Sequence, residues 1–106
     1  MGKIITVAIL SFLTFSLYAV NLSEASLQGS WVIIEFQGEA ESEGDKWEFE
    51  GSKFYQNMGG RRISPDTFTV SGNIIDLGYG KIKVKRFDGK TMEANMAGFD
   101  YKLKKQ

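Results

Sequence analysis

Cysteine and histidine are both missing from this 106-residue chain, proline occurs once, and the formal net charge is zero. Without cysteine there is no disulfide to staple a small domain, so packing alone must hold it together. Without cysteine or histidine, zinc sites of the common kinds, histidine-ligated haem and every nucleophile–imidazole catalytic pair are excluded. A balanced charge offers no footprint for nucleic acid. What is present is apolar and aromatic: 42% hydrophobic and 13% aromatic residues exclude a disordered chain. The length suits one domain, since domains run to about 100–150 residues.

Residues 1–19 form an export signal in outline. Lys3 supplies a positive start, Ile4 to Phe15 are almost wholly apolar, and Ala19 offers a small residue for cleavage. A cut after Ala25 is the second choice. The apolar run is short of the roughly 20 residues of a membrane-spanning helix, so no stable anchor is expected once the signal is removed. Met1-Gly2 with Thr6 also fits the loose myristoylation pattern, but the apolar run behind it belongs to export. The expectation is a periplasmic or secreted protein: signal peptide 1–19, lead-in segment 20–29, and one domain over 30–106.

From Trp31 onward the chain alternates with period two and is broken repeatedly by glycine. Strands are expected at 31–37, 46–50, 53–58, 67–71, 74–77, 81–87, 91–96 and 99–104, with a glutamate-rich loop from Gly38 to Asp45. Gly72-Asn73 and Asp88-Gly89 read as hairpin turns whose residues tolerate positive φ. A bulge at Arg86 would restore Phe87 to the inner face of its strand. Pro65 falls in a connection, where a residue without an N–H belongs. Leu22 to Gln28 has room for one short helical turn. The fold class is therefore all-β: a small eight-stranded antiparallel up-and-down meander forming a closed or partly open barrel, preceded by a signal peptide.

Leu27-Gln28-Gly29-Ser30-Trp31 resembles the Leu-x-Gly-x-Trp opening of lipocalin-like and other calycin barrels. Trp47-Glu48-Phe49 with Gly51, Ser71-Gly72-Asn73-Ile74-Ile75 and Phe99-Asp100-Tyr101-Lys102-Leu103 are similar to later segments of small bacterial lipocalin-like domains. The resemblance implies a barrel plugged at one end by Trp31 and a ligand taken at one mouth, the end of Met92 and Met96 being the more pliable. This chain departs from larger lipocalins in its shorter strands and in lacking the cysteine pair. The opening is also similar to small envelope stress-associated β domains, whose glycine-cysteine-asparagine segment is absent.

The residues expected inside are bulky: Val32, Ile34, Phe36, Trp47, Phe49, Phe54, Phe68, Val70, Ile75, Leu77, Ile82, Val84, Met92, Met96, Phe99, Tyr101 and Leu103. A dry cavity of about 300 Å³, small for a ligand pocket, costs roughly 7 kcal/mol at about 24 cal/mol per Å³. That approaches the whole stability of a small domain, about 5–15 kcal/mol. The centre is therefore expected to be full, and any ligand site shallow and at a barrel mouth. Candidate ligand-binding residues are Trp47, Phe49, Phe54, Met92, Met96 and Tyr101; the bland reading of the two methionines is that they fill gaps in the core.

Charge is segregated along the chain: residues 20–60 carry a net −6 and residues 61–106 a net +5. Glu39, Glu41, Glu43 and Asp45 crowd one loop, while Lys81, Lys83 and Lys85 share the outer face of one strand. These are either solvated faces that attract one another across the sheet or a recognition surface. The acidic loop lacks the spacing of a calcium loop, so no metal or cofactor is expected. Glu48 and Glu50 share a face about 7 Å apart, superficially like a glycosidase pair. Alternation turns that face into solvent with no cleft to tune a pKa, so no catalytic residue is expected. Two functions follow: a non-catalytic exported domain binding a small apolar or amphipathic molecule, or an inhibitor or immunity-type module that binds a basic partner protein through Glu39, Glu41, Glu43 and Asp45.

Overall fold

The computed structural model describes residues 22–63 and 65–106; the expected signal peptide and its cleavage site after Ala19 lie outside the described residues. The chain opens with a single helical turn, α1 (Glu24–Leu27), and continues as strands throughout. These are β1 (Gly29–Phe36), β2 (Glu39–Ala40), β3 (Lys46–Glu50), β4 (Lys53–Met58), β5 (Arg61–Arg62) and β6 (Asp66–Thr67). They are followed by β7 (Thr69–Ser71), β8 (Ile74–Asp76), β9 (Lys81–Phe87), β10 (Thr91–Met96) and β11 (Phe99–Lys105). All pairings are antiparallel, in the order β5-β4-β3-β1-β11-β10-β9-β8-β7, with β2 beside β1 and β6 beside β4. The sheet curls into a half-barrel, so the all-β meander expected from the alternation is the fold.

Among the described residues eleven strands stand where eight were expected: the two-residue strands β2 and β5 form at the margins of loops, and β6 arises from the division of an expected strand. The segment expected as one strand over 67–71 is divided at Phe68. Its first half pairs with β4 (Lys53 with Thr67, Phe54 with Asp66), and its second half pairs with β8. Phe68 lies at the division, buried, with its ring 5.2 Å from Phe49 and its amide donating to Ser52 O at 3.0 Å. The two margins of the sheet thus meet through a single segment.

Strand β1 corrects the expected phase. Trp31 and Ile33 are buried, whereas Val32 and Ile34, expected inward, are only half-buried. Residues 31–34 are apolar on both faces, so alternation there carries no phase. The register against β11 then skips one residue, from Ile33 opposite Leu103 to Glu35 opposite Lys102. This bulge returns Phe36 to the side of Ile33. In β9 the expected bulge is present: Ala94 faces Val84 and Glu93 faces Arg86, which leaves Lys85 as the extra residue and buries both Val84 and Phe87.

The two ends of the half-barrel differ. In an up-and-down meander alternate turns fall at the same end. One end collects α1 and the turns at 51–52, 72–73 and 88–90. Here Ser23 caps α1 in a reciprocal capping box with Ser26. Gln28 accepts from Gly51 N at 2.7 Å and donates to Gly51 O at 2.9 Å. Leu27 is fully buried, and Trp31 Nε1 donates to its carbonyl at 2.8 Å with the indole 5.6 Å from Phe87. This end is plugged. The opposite end collects the loop 37–45, the connection that follows β4, and the turns 77–80 and 97–98.

Candidate functional site

At the open end Phe36 and Tyr101 are register partners, and the turns on either side of them lock together. Gln37 N donates to Asp100 O at 2.8 Å, and Asp100 N donates to Gln37 Oε1 at 2.6 Å. Gln37 and Ala97, at φ 54° and 55°, are the non-glycine residues in the left-handed region among the described residues. Such a conformation costs of order 1 kcal/mol, and here it is repeated in two adjacent hairpin turns at one rim. Between β2 and β3 the acidic loop arches over the β1 bulge. Glu41 N donates to Ile34 O at 2.9 Å and Ile33 N to Asp45 O at 2.8 Å. Asp45 Oδ1 accepts from Gly59 N at 3.0 Å, tying the loop to the turn after β4.

These constraints enclose a cleft of about 220 Å³ lined by Ile33, Phe36, Glu41, Asp45, Met58 and Tyr101. An unbroken run of rings leads into it from the core: Phe68, Phe49, Phe54, Trp47, Tyr101, Phe36 and Phe99, neighbours lying 4.8–6.0 Å apart. Burial pushes the Tyr101 phenol above its ordinary pKa. The large apolar side chains left exposed are Met58 (42%), Ile63 (52%), Tyr79 (72%) and Phe99 (46%). Met58 lines the cleft and Phe99 lies at its margin, its ring 5.6 Å from Phe36, while Ile63 borders a separate depression with Met58, Arg61 and Arg62. Tyr79 bridges to Asp66 Oδ2 at 3.0 Å; burial, then that hydrogen bond, raises its pKa.

The structure distributes the residues singled out from the sequence as follows. Trp47, Phe49, Phe54 and Met92 are sealed in the core, while Met96 and Tyr101 are half-buried and pack against it. Of the six, Tyr101 lines the open-end cleft. Of the acidic four, Glu41 and Asp45 line it, while Glu39 and Glu43 are exposed on the same loop. Phe99, expected inside, stands at the rim because the turn at 97–98 leaves it beyond the last residue that covers it. Met58 also lines the cleft and was not among the expected site residues; its signal was positional, an apolar residue flanking a turn that a meander brings to this end.

Glu48 is a correction. Expected in solvent, it is 9% exposed on the outer face of β3. Arg62 Nε donates to its Oε1 at 2.6 Å, and Asn57 Nδ2 and Ser30 Oγ approach Oε2 at 3.4 and 3.5 Å. Arg62 also reaches Glu50 at 3.5 Å and lies over the Tyr55 ring at 3.9 Å from its centroid. Burial is the largest influence on the carboxyl and pushes its pKa up. The Arg62 hydrogen bond and charge, with Asn57 and Lys46, together outweigh it and hold the group below its ordinary value. A retaining glycosidase pair needs one carboxyl raised; this one is lowered. Among the described residues, no group of three or more acidic side chains is placed to hold a metal ion.

The outer lysines of β9 face carboxylates across the sheet. Lys85 meets Asp100 at 2.7 Å and Lys81 meets Asp76 at 3.6 Å, and on β11 Lys102 meets Glu35 at 3.6 Å. No protein-family profile matches the chain, and no curated protein matches it.

Proposed function

We propose that this chain is a non-catalytic exported binding domain, lipocalin-like in architecture, that takes a small apolar or amphipathic molecule at the open end of its half-barrel. The observation that carries this reading is the apolar, aromatic margin of the cleft: Ile33, Phe36, Met58 and Tyr101 line it, and the exposed Phe99 ring stands 5.6 Å from Phe36. Single apolar residues scattered over a surface need no explanation, but a cluster around a cleft marks an interaction site. The packed core supports reception at the rim instead of in a deep cup. The cleft of about 220 Å³ suits a small molecule or the end of a chain, since pockets for drug-sized ligands begin at about 300 Å³. The apolar segment within residues 1–19 supports export to the periplasm or beyond.

Trp47 lies 4.8 Å from Tyr101, ring centre to ring centre, so its fluorescence reports on the cleft. Titration with short-chain lipids and hydrophobic dyes is expected to change that emission, and Phe99→Ser with Met58→Ser to weaken the response without unfolding the protein. A flat titration, together with native mass spectra of envelope-purified protein free of any small molecule, would remove the reading. The second reading, a module for a basic partner protein, draws on the exposure of Glu39 and Glu43 beside Glu41. It requires that replacing these three glutamates by glutamine abolish capture of a co-purifying polypeptide.

A further inference from the structure

Five carboxylates among the described residues are held in ion pairs. Glu35, Glu48, Glu50, Asp76 and Asp100 each face a lysine or arginine within 4 Å. Glu41 has no ion pair among the described residues, and Asp45 uses one oxygen on the Gly59 amide. Both stand at the margin of an apolar, aromatic cleft whose lining holds no basic side chain. Arg61 and Arg62 line a second, shallow depression with Met58 and Ile63.

Resting on the reading of the mouth as a ligand site, we infer that its ligand is a cationic amphiphile, a small molecule with an apolar portion and an amine or quaternary ammonium head. The apolar portion lies against Ile33, Phe36, Met58 and Tyr101. The head lies between the Glu41 and Asp45 carboxylates, near the faces of Tyr101 and Phe36. Ammonium groups are attracted both by carboxylates and by aromatic faces, and this cleft offers the two together. An anionic head there would meet two like charges, which costs affinity; a neutral head would gain from neither.

The test compares one chain with three heads. Octyltrimethylammonium, 1-octanol and octyl sulfate are titrated into the processed protein by calorimetry, with amide shifts followed by NMR to locate binding. The ammonium probe is expected to bind about tenfold more tightly than octanol, with octyl sulfate weakest and with shifts at Gly38, Glu41, Gly59 and Tyr101. Glu41→Gln is expected to bring the ammonium probe to the level of octanol while octanol binding is unchanged. Glu35→Gln, which removes a carboxylate already paired with Lys102, is expected to leave the preference intact. Octanol or octyl sulfate binding as tightly as the ammonium probe would overturn the cationic head and leave the mouth as a ligand site. Shifts centred on Arg61 with octyl sulfate preferred would overturn both the cationic head and the mouth, and move binding to the depression lined by Arg61, Arg62 and Ile63. If no probe shifts any amide at the mouth, the ligand-site reading itself falls, and the cationic head with it.

Discussion

A carboxylate on the outer face of a sheet ordinarily keeps its water. Glu48 has exchanged most of its own for Arg62, Asn57 and Ser30, and it stays charged because Arg62, Asn57 and Lys46 together outweigh the cost of burial. Hydrogen bonds to charged groups are stronger than neutral ones, but removing one partner leaves the other stranded. Glu48→Gln is therefore expected to lose about 1 kcal/mol of stability at neutral pH. The sign of the pH dependence follows from the lowered pKa. The contribution is present above the unfolded glutamate value of about 4.3 and is lost as pH falls through the lower native value. Parent and variant should therefore converge in acid, as measured by urea unfolding followed through tryptophan emission from neutral pH downward. Both retain some acid sensitivity. The Thr91 and Lys90 amides hold Asp88 below its ordinary pKa, and hydrogen bonds from Lys85 and Asn95 do the same for Asp100. A gap between parent and variant that stays constant through the acid range would show that the Glu48 charge contributes nothing.

At the scale of elements, α1 is too short to be stable alone, and it holds through its cap and its contacts. Ser23 and Ser26 satisfy its first amides, Leu22 packs on the core margin, and Gln28 ties it to the β3–β4 turn. A chain beginning at Val20 keeps all of this, whereas one beginning at Ser26 loses the cap and Leu22. The shorter chain is expected to be about 2 kcal/mol less stable, from a cap worth about 1 kcal/mol and a partly buried leucine worth about as much. Equal denaturation midpoints would mean that the plug is made by Leu27 and Trp31 alone. The strands themselves were legible because glycine punctuates them and because β9, β10 and β11 alternate cleanly. The phase of β1 was not, since Trp31-Val32-Ile33-Ile34 presents apolar groups to both faces and only the helix above Trp31 decides between them. Glu48 was misplaced because alternation gives a face but not what covers it, and Arg62 arrives from a separate two-residue strand. Half of the mouth was visible as an acidic loop. Its apolar half lies in single residues beside turns far apart in the chain, which become one surface only when the turns are sorted by end.

For the whole molecule the weakest closure is the segment 66–71. Strands β1 and β11 share a long register from Trp31 opposite Lys105 to Phe36 opposite Tyr101, whereas β4 and β6 meet only at Lys53–Thr67 and Phe54–Asp66. Cooperative opening free energies within one domain range from near zero to the global value, following how much buried apolar contact each unit makes. The seam is pinned by Phe68 on Phe49, by its amide on Ser52 O, and by Tyr79 on Asp66. Native-state hydrogen exchange should therefore find the Phe68 amide exchanging through a partial opening, at lower free energy than the β1–β11 amides. Tyr79→Phe removes one exposed hydrogen bond and should lower that local value by about 1 kcal/mol while leaving global stability nearly unchanged. Phe68→Ala should cost about 3–4 kcal/mol, a large part of a small domain's margin, and should merge local with global opening. Exchange of the Phe68 amide at the global rate in the parent would mean that the two margins of the sheet are joined as firmly as any neighbouring pair of strands.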